Sequence, residues 1–133
     1  MNPQPIIYII DDDPDDQDLL IEALHDVDSE IGCYTAINGQ EGLIKLESGL
    51  VPFPSIIFLD LNMPRINGRK FLCEIKKHPL LKSIPVIIYT TSSNPKDIAE
   101  MSELGATDYL VKQVNFSSLK EKLRIILSMV SSC

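Results

Sequence analysis

Five short apolar runs alternate with five helical patterns, and this alternation limits the possible folds more than any other feature of the chain. The runs are rich in β-branched residues and too short for helices, so they are predicted as buried strands at 5–10, 32–37, 55–60, 85–90 and 107–112. The helices are predicted to begin at Asp13-Pro14, Asn38-Gly39, Asn67-Gly68, Asn94-Pro95 and about Asn115. Strands that alternate with helices form βαβ units, so we expect an α/β fold with a mostly parallel sheet covered on both faces.

The composition excludes several classes of partner. The net charge is −7, whereas a nucleic-acid-binding surface needs clustered Lys and Arg, and an anionic membrane surface would repel such a chain. No apolar run approaches the roughly 20 residues of a membrane span, and no signal peptide is apparent. The three scattered cysteines are typical of free thiols in a reducing compartment. We therefore expect a cytoplasmic protein whose partners are proteins or positive ions.

Polar side chains follow four of the five predicted strands. Asp11 and Asp12 come at the end of the first strand, Asp60 ends the third, Thr90 the fourth and Lys112 the fifth. In open α/β sheets, functional groups gather outside the carboxyl ends of the strands. Asp60 alone could simply cap a turn. Because four strand ends bring reactive side chains to one edge of the sheet, a functional site is favoured instead.

The acidic run after the first strand divides into two parts. Its later members lie in the first turn of a helix, where each stabilises the helix dipole by about 0.3–1 kcal/mol; these are Asp13, Asp15 and Asp16. Asp11 and Asp12 still belong to the strand end, close to the predicted position of Asp60. Two carboxylates at 4 Å repel by about 4 kcal/mol at an effective dielectric constant near 20. A bound Mg²⁺ would relieve this repulsion.

Such a site suits phosphoryl chemistry on Asp60. A carboxylate beside a metal ion can attack phosphorus and form an aspartyl phosphate. The reaction needs a cation and a second positive group near the phosphoryl oxygens, which Mg²⁺ and Lys112 would supply, while Thr90 offers a hydroxyl donor. Taken singly, Lys112 could be a solvated strand-end residue and Thr90 an ordinary strand residue.

On these residues the chain resembles the receiver domain of response regulators, the phosphoacceptor proteins of bacterial two-component systems and phosphorelays. The matching motifs are Asp11-Asp12, Leu59-Asp60-Leu61-Asn62-Met63-Pro64, Tyr89-Thr90-Thr91-Ser92 and Tyr109-Leu110-Val111-Lys112, in the order of the family. The chain is most similar to small stand-alone, chemotaxis-type receivers, some of which are partnered with phytochrome-type kinases. The resemblance implies a flavodoxin-like (βα)5 doubly wound sheet with strand order 2-1-3-4-5.

The resemblance also implies roles for single residues. Asp60 would accept a phosphoryl group from a sensor histidine kinase or a phosphotransfer protein. The implied Mg²⁺ ligands are Asp12, Asp60, the Asn62 carbonyl and, through water, Asp11. Thr90 and Tyr109 would couple the site to the face formed by the fourth helix, fifth strand and fifth helix, which would bind a downstream protein or a second copy. Such a protein is a signalling protein rather than an enzyme, with intrinsic phosphotransfer and autodephosphorylation activity.

The chain ends soon after the fifth predicted helix, so residues 1–133 are expected to form a single receiver domain with no attached output domain. One residue departs from the family pattern. Receivers usually have a proline with a cis peptide bond after the lysine, whereas this chain has Gln113. A cis bond before a residue other than proline costs about 3 kcal/mol, so either that cost is borne or the loop before the fifth helix differs.

Three other functions fit parts of the sequence. A pseudo-receiver would keep the fold and act only as a protein-interaction domain. A haloacid-dehalogenase-like phosphohydrolase would use Asp11 and Asp13, but Asp15 stands where that family has Thr or Val. A flavodoxin-like cofactor binder would need amides and hydroxyls after the first strand, where three aspartates would repel a phosphate.

Overall fold

The computed structural model describes residues 4–61, 67–112 and 115–131. The strands are β1 Ile6–Ile10, β2 Gly32–Ala36, β3 Ile56–Leu59, β4 Val86–Thr90 and β5 Asp108–Val111. The helices are α1 Pro14–Val27, α2 Gly39–Glu47, α3 Gly68–Lys77, α4 Pro95–Glu103 and α5 Phe116–Ser131. The proposed metal ligand Asn62 and the peptide bond between Lys112 and Gln113 lie outside the described residues.

All strand pairs are parallel, and the sheet has the order β2-β1-β3-β4-β5. This confirms the predicted doubly wound α/β fold and its strand order. The central strands β1 and β3 run in register, with Ile10 beside Leu59. The residues that follow them, Asp11 and Asp60, therefore emerge side by side at the carboxyl edge of the sheet.

Side-chain caps fix the starts of the helices at the predicted positions. An Asp or Asn before each helix accepts a hydrogen bond from a backbone N–H of the first turn, which satisfies a donor that has no partner within the helix. The capping residues are Asp13, Asn38, Asn67, Asn94 and Asn115. Each cap fixes the residue at which a helix begins. It therefore also fixes the length of the preceding loop at the carboxyl edge of the sheet.

The core has two layers, one on each face of the sheet. Side chains of α2, α3 and α4 cover one face and those of α1 and α5 cover the other. Alternate residues of β1 divide between them, with Tyr8 in the first layer and Ile9 in the second.

Helix α4 buries only part of its apolar side. Met101 is fully buried, whereas Ile98, three residues before it in the helix, is 40% exposed. Helix α4 precedes the edge strand β5 and packs at the end of the sheet, so it has a narrower buried stripe than a helix over the sheet centre. Among the described helices, none combines the length and apolar character needed to cross a bilayer.

Candidate functional site

The carboxyl ends of four strands bring the predicted site residues together. Backbone hydrogen bonds between neighbouring strands align these residues at the edge of the sheet. The Asp60 N–H donates to the Ile10 carbonyl at 3.0 Å, and the Lys112 N–H donates to the Thr90 carbonyl at 2.7 Å. Across this edge, Lys112 Nζ lies 2.8 Å from Asp11 Oδ2 and 3.4 Å from Asp60 Oδ2. The side chains that the sequence placed at separate strand ends therefore form one site.

Three carboxylates of this site could hold a metal ion. One oxygen each from Asp11, Asp12 and Asp60 can lie within 4.8 Å of the others. Asp11 and Asp60 are buried and Asp12 is exposed, so the cluster has a buried floor and a side open to solvent. Carboxylate oxygens are hard donors that suit Mg²⁺, Ca²⁺ or Mn²⁺. The residues present therefore fit a hard divalent cation.

The pKa of the Asp11 carboxyl is shifted by its surroundings. Burial raises the pKa of Asp11 to about 6, although Lys112 and the Asp13 N–H both favour the charged form. The Asp13 N–H donates to Asp11 Oδ1 at 3.0 Å, so one carboxylate oxygen is held while the other faces Lys112. A divalent cation would add positive charge at this point and favour the ionised carboxylate.

Lys112 is held in place by more groups than the sequence suggested. Its ammonium lies 5.6 Å from the centre of the Tyr89 ring, and Asp16 Oδ2 is 2.7 Å from Nζ, closer than either Asp11 or Asp60. Burial by itself would lower the pKa of Lys112, but the carboxylates outweigh it and raise that pKa above its usual range. The sequence assigned Asp16 only to the helix dipole, because its partner lies 96 residues away.

The buried side chain of Thr90 ends β4 at the same edge of the sheet. Thr90 is fully buried, and its Oγ1 has no hydrogen-bond partner among the described residues. A buried hydroxyl in this state costs about 1–3 kcal/mol. Such groups are rare in folded proteins and call for an explanation, which an incoming acceptor at the strand edge would provide.

Tyr109 is tied to the loop that follows β4. Its hydroxyl donates to the Ser92 carbonyl at 2.8 Å, and the Ser92 hydroxyl donates to Asp97 Oδ2 at 2.6 Å. Arg69 of α3 bonds Asp97 at 2.6 Å and also pairs with Glu100. A polar chain thus joins β5 to α4 and α3, beginning two residues after Thr90.

The buried side-chain amide of Gln17 supports the backbone of the site, and the sequence did not predict this role. Gln17 Nε2 donates to the Asp11 carbonyl at 2.6 Å and to the Ala36 carbonyl at 3.1 Å. These two bonds join the ends of β1 and β2 to the first turn of α1. Because Gln17 sits in an acidic stretch with no motif of its own, only the packed structure identifies it.

Comparison with known proteins gives consistent matches. The response regulator receiver domain model matches residues 7–124. Response regulator Rcp1 of Synechocystis sp. is 36% identical over 127 residues, which cover 89% of this chain and 83% of that protein. A probable cyclic di-GMP phosphodiesterase of Vibrio cholerae is 34% identical over 121 residues, which cover 90% of this chain but only 26% of that protein.

Solved structures agree with this. The phosphorylated cyanobacterial phytochrome response regulator RcpA is 32% identical, with a TM-score of 0.87 and coverage of 98% of this chain and 96% of that one. The Mn²⁺-bound form of Rcp1 is 33% identical, with a TM-score of 0.81 and coverage of 93% and 92%. From the family match over most of its length and these two relatives, the chain belongs to the response regulator receiver domains of two-component signalling.

Proposed function

We propose that this receiver domain is a phosphoacceptor in which Asp60 takes a phosphoryl group from a histidine kinase or a phosphotransfer protein. The observation that carries the proposal is the set of groups around Asp60. Lys112 lies 3.4 Å from its carboxylate, and two further carboxylates offer a cation site beside it. The Thr90 hydroxyl, which has no hydrogen-bond partner among the described residues, lies at the neighbouring strand end.

Asp11, Asp12 and Asp60 would hold Mg²⁺, with Asn62 as a further ligand. The bound ion would supply positive charge next to the phosphoryl oxygens. The solved Mn²⁺-bound form of Rcp1 supports a divalent cation in a related protein. Mg²⁺ is proposed here because carboxylates with retained waters are its usual ligands.

The transfer itself is a substitution at phosphorus. A carboxylate oxygen of Asp60 forms the new O–P bond, and the P–N bond of the donor phosphohistidine breaks, with the electron pair leaving on the imidazole nitrogen. Lys112 stays protonated and contacts a phosphoryl oxygen, while the Thr90 hydroxyl donates a hydrogen bond to another. In autodephosphorylation, water attacks phosphorus, the bond to Asp60 breaks and inorganic phosphate leaves.

Output would follow from the movement of Thr90 toward the phosphoryl group. Tyr109 of β5 would respond because its hydroxyl donates to the carbonyl of Ser92, which lies two residues after Thr90 in the loop that follows β4. The face of α4, β5 and α5 would then bind a downstream protein or a second copy of this chain. We propose that the domain acts in this way in the cytoplasm.

Incubation with Mg²⁺ and acetyl phosphate tests the phosphoacceptor. We expect a retarded band on a phosphate-affinity gel, and an intact-mass increase of one phosphoryl group, that a chelator prevents. Asp60→Asn should abolish both. Asp15→Asn is the matched control, because it removes the same charge from an exposed position in the first turn of α1.

Two results would contradict the proposal. A shifted band that persists in Asp60→Asn would identify another acceptor. Absence of any shift, with small donors and with a phosphorylated histidine kinase, would instead favour a pseudo-receiver that serves only as an interaction domain.

A further inference from the structure

Asp16 contacts the site without belonging to its cation cluster. Its Oδ2 lies 2.7 Å from Lys112 Nζ, the shortest of the three ion pairs that the ammonium makes with carboxylates of the site. The three carboxylates that can share a cation are Asp11, Asp12 and Asp60. Asp16 is therefore the partner of Lys112 whose charge a bound cation would leave uncompensated.

This places Asp16 in competition with a phosphoryl group. A lysine ammonium has three N–H donors, and here three carboxylates surround it. A phosphoryl oxygen on Asp60 must take one of these donors. A cation at the cluster weakens the attraction of the Asp11 and Asp60 carboxylates for the Lys112 ammonium. Asp16 is then the anion that the phosphoryl group has to displace.

The position of Asp16 is held by the fold. It lies in the first turn of α1, capped by Asp13, and its neighbour Gln17 bonds the carbonyls at the ends of β1 and β2. Its side chain is 34% exposed, compared with 11% for Lys112. The backbone of Asp16 is thus anchored close to Lys112, while its carboxylate is still partly in contact with solvent.

Resting on the phosphoacceptor function proposed above, we infer that Asp16 is a positioning residue that holds the Lys112 ammonium and competes with the phosphoryl group for it. Its negative charge slows phosphorylation of Asp60, because the incoming group is also negative. Asparagine at this position keeps a hydrogen-bond acceptor for Lys112 and removes the negative charge. The substitution therefore separates the positioning of Lys112 from the competition with the phosphoryl group.

The test compares phosphorylation rates with acetyl phosphate and Mg²⁺. We expect Asp16→Asn to be phosphorylated about three- to fivefold faster than the wild type, the upper part of the range for a partly exposed charge pair. Asp15→Asn, with the same charge change on the same turn, should remain close to wild type. In a Lys112→Ala background, the gain from Asp16→Asn should fall to that from Asp15→Asn.

Salt gives a second measurement that does not depend on the folding of a Lys112 variant. The gain from Asp16→Asn should shrink as ionic strength rises from about 0.05 to 0.5 M, because screening weakens a partly exposed charge. A purely structural role of Asp16 would leave the ratio of the two rates unchanged by salt.

The outcomes separate the two proposals. If the wild type gains no phosphoryl group on Asp60, the proposed function fails and this inference fails with it. If the wild type is phosphorylated but Asp16→Asn is equal to Asp15→Asn, slower than the wild type, or faster by the same factor without Lys112, only the inference is overturned.

Discussion

Thr90 is fully buried at the end of β4, and its hydroxyl has no hydrogen-bond partner among the described residues. An unsatisfied buried hydroxyl costs about 1–3 kcal/mol, whereas a methyl group in its place costs nothing of this kind. Valine has nearly the shape of threonine and suits a strand. We therefore expect Thr90→Val to raise the free energy of unfolding of the unphosphorylated protein by about 1–2 kcal/mol.

The same substitution should impair phosphorylation, because it removes the hydroxyl that would bond a phosphoryl oxygen. We expect the rate with acetyl phosphate and Mg²⁺ to fall about tenfold or more, as for other donors that stabilise developing charge. A gain in stability and a loss of rate from one methyl-for-hydroxyl exchange would mark Thr90 as a group kept for function at a cost in stability.

Urea denaturation followed by circular dichroism, without Mg²⁺ or donor, measures the stability effect. For a domain of this size, a change of about 1 kcal/mol moves the Tm by roughly 2–6 °C, so thermal melts can check it. Thr91→Val, at the exposed adjacent position, should change the stability by less than about 0.5 kcal/mol. If Thr90→Val is less stable than the wild type by about 1 kcal/mol, the hydroxyl is hydrogen-bonded in the native protein and the reasoning is refuted.

Three further effects follow from the site and its supports. A Cβ on Gly68 would lie 2.8 Å from the Leu61 Cα, so Gly68→Ala should lower the free energy of unfolding by about 1–3 kcal/mol in urea titrations; an unchanged midpoint would contradict this contact. Asp12→Asn should weaken Mg²⁺ binding about tenfold in calorimetry with little effect on stability, since Asp12 is exposed, and unchanged affinity would remove it from the proposed site. Burial raises the pKa of Tyr89 from 10.0 to about 12, so above pH 10 the unfolded phenol ionises first and the free energy of unfolding falls. Tyr89 should contribute about 1.4 kcal/mol per pH unit to this fall up to about pH 12, and a Tyr89→Phe variant with the same alkaline slope as the wild type would refute it.

The fold could be predicted from the sequence because its signals are local. A buried parallel strand is a short run of β-branched residues, and a helix start is a capping residue beside its own first turn. Asn94 before Pro95 and Asp13 before Pro14 needed no information from elsewhere in the chain. The strand ends then follow from the fold class, so the convergence of Asp11, Asp60 and Lys112 was predictable before any distance was known.

Tertiary structure alone determined the contacts that join distant segments. Asp16 and Lys112 are 96 residues apart, and whether a first-turn aspartate faces solvent or a lysine depends on how α1 packs beside α5, the helix that follows Lys112 in the chain. The exposure of Ile98 likewise depends on where α4 lies over the sheet. Hydrophobic periodicity and capping act over a few residues and fix the elements, whereas the choice of partner for a charge is set by packing between elements that the chain brings together only when it folds.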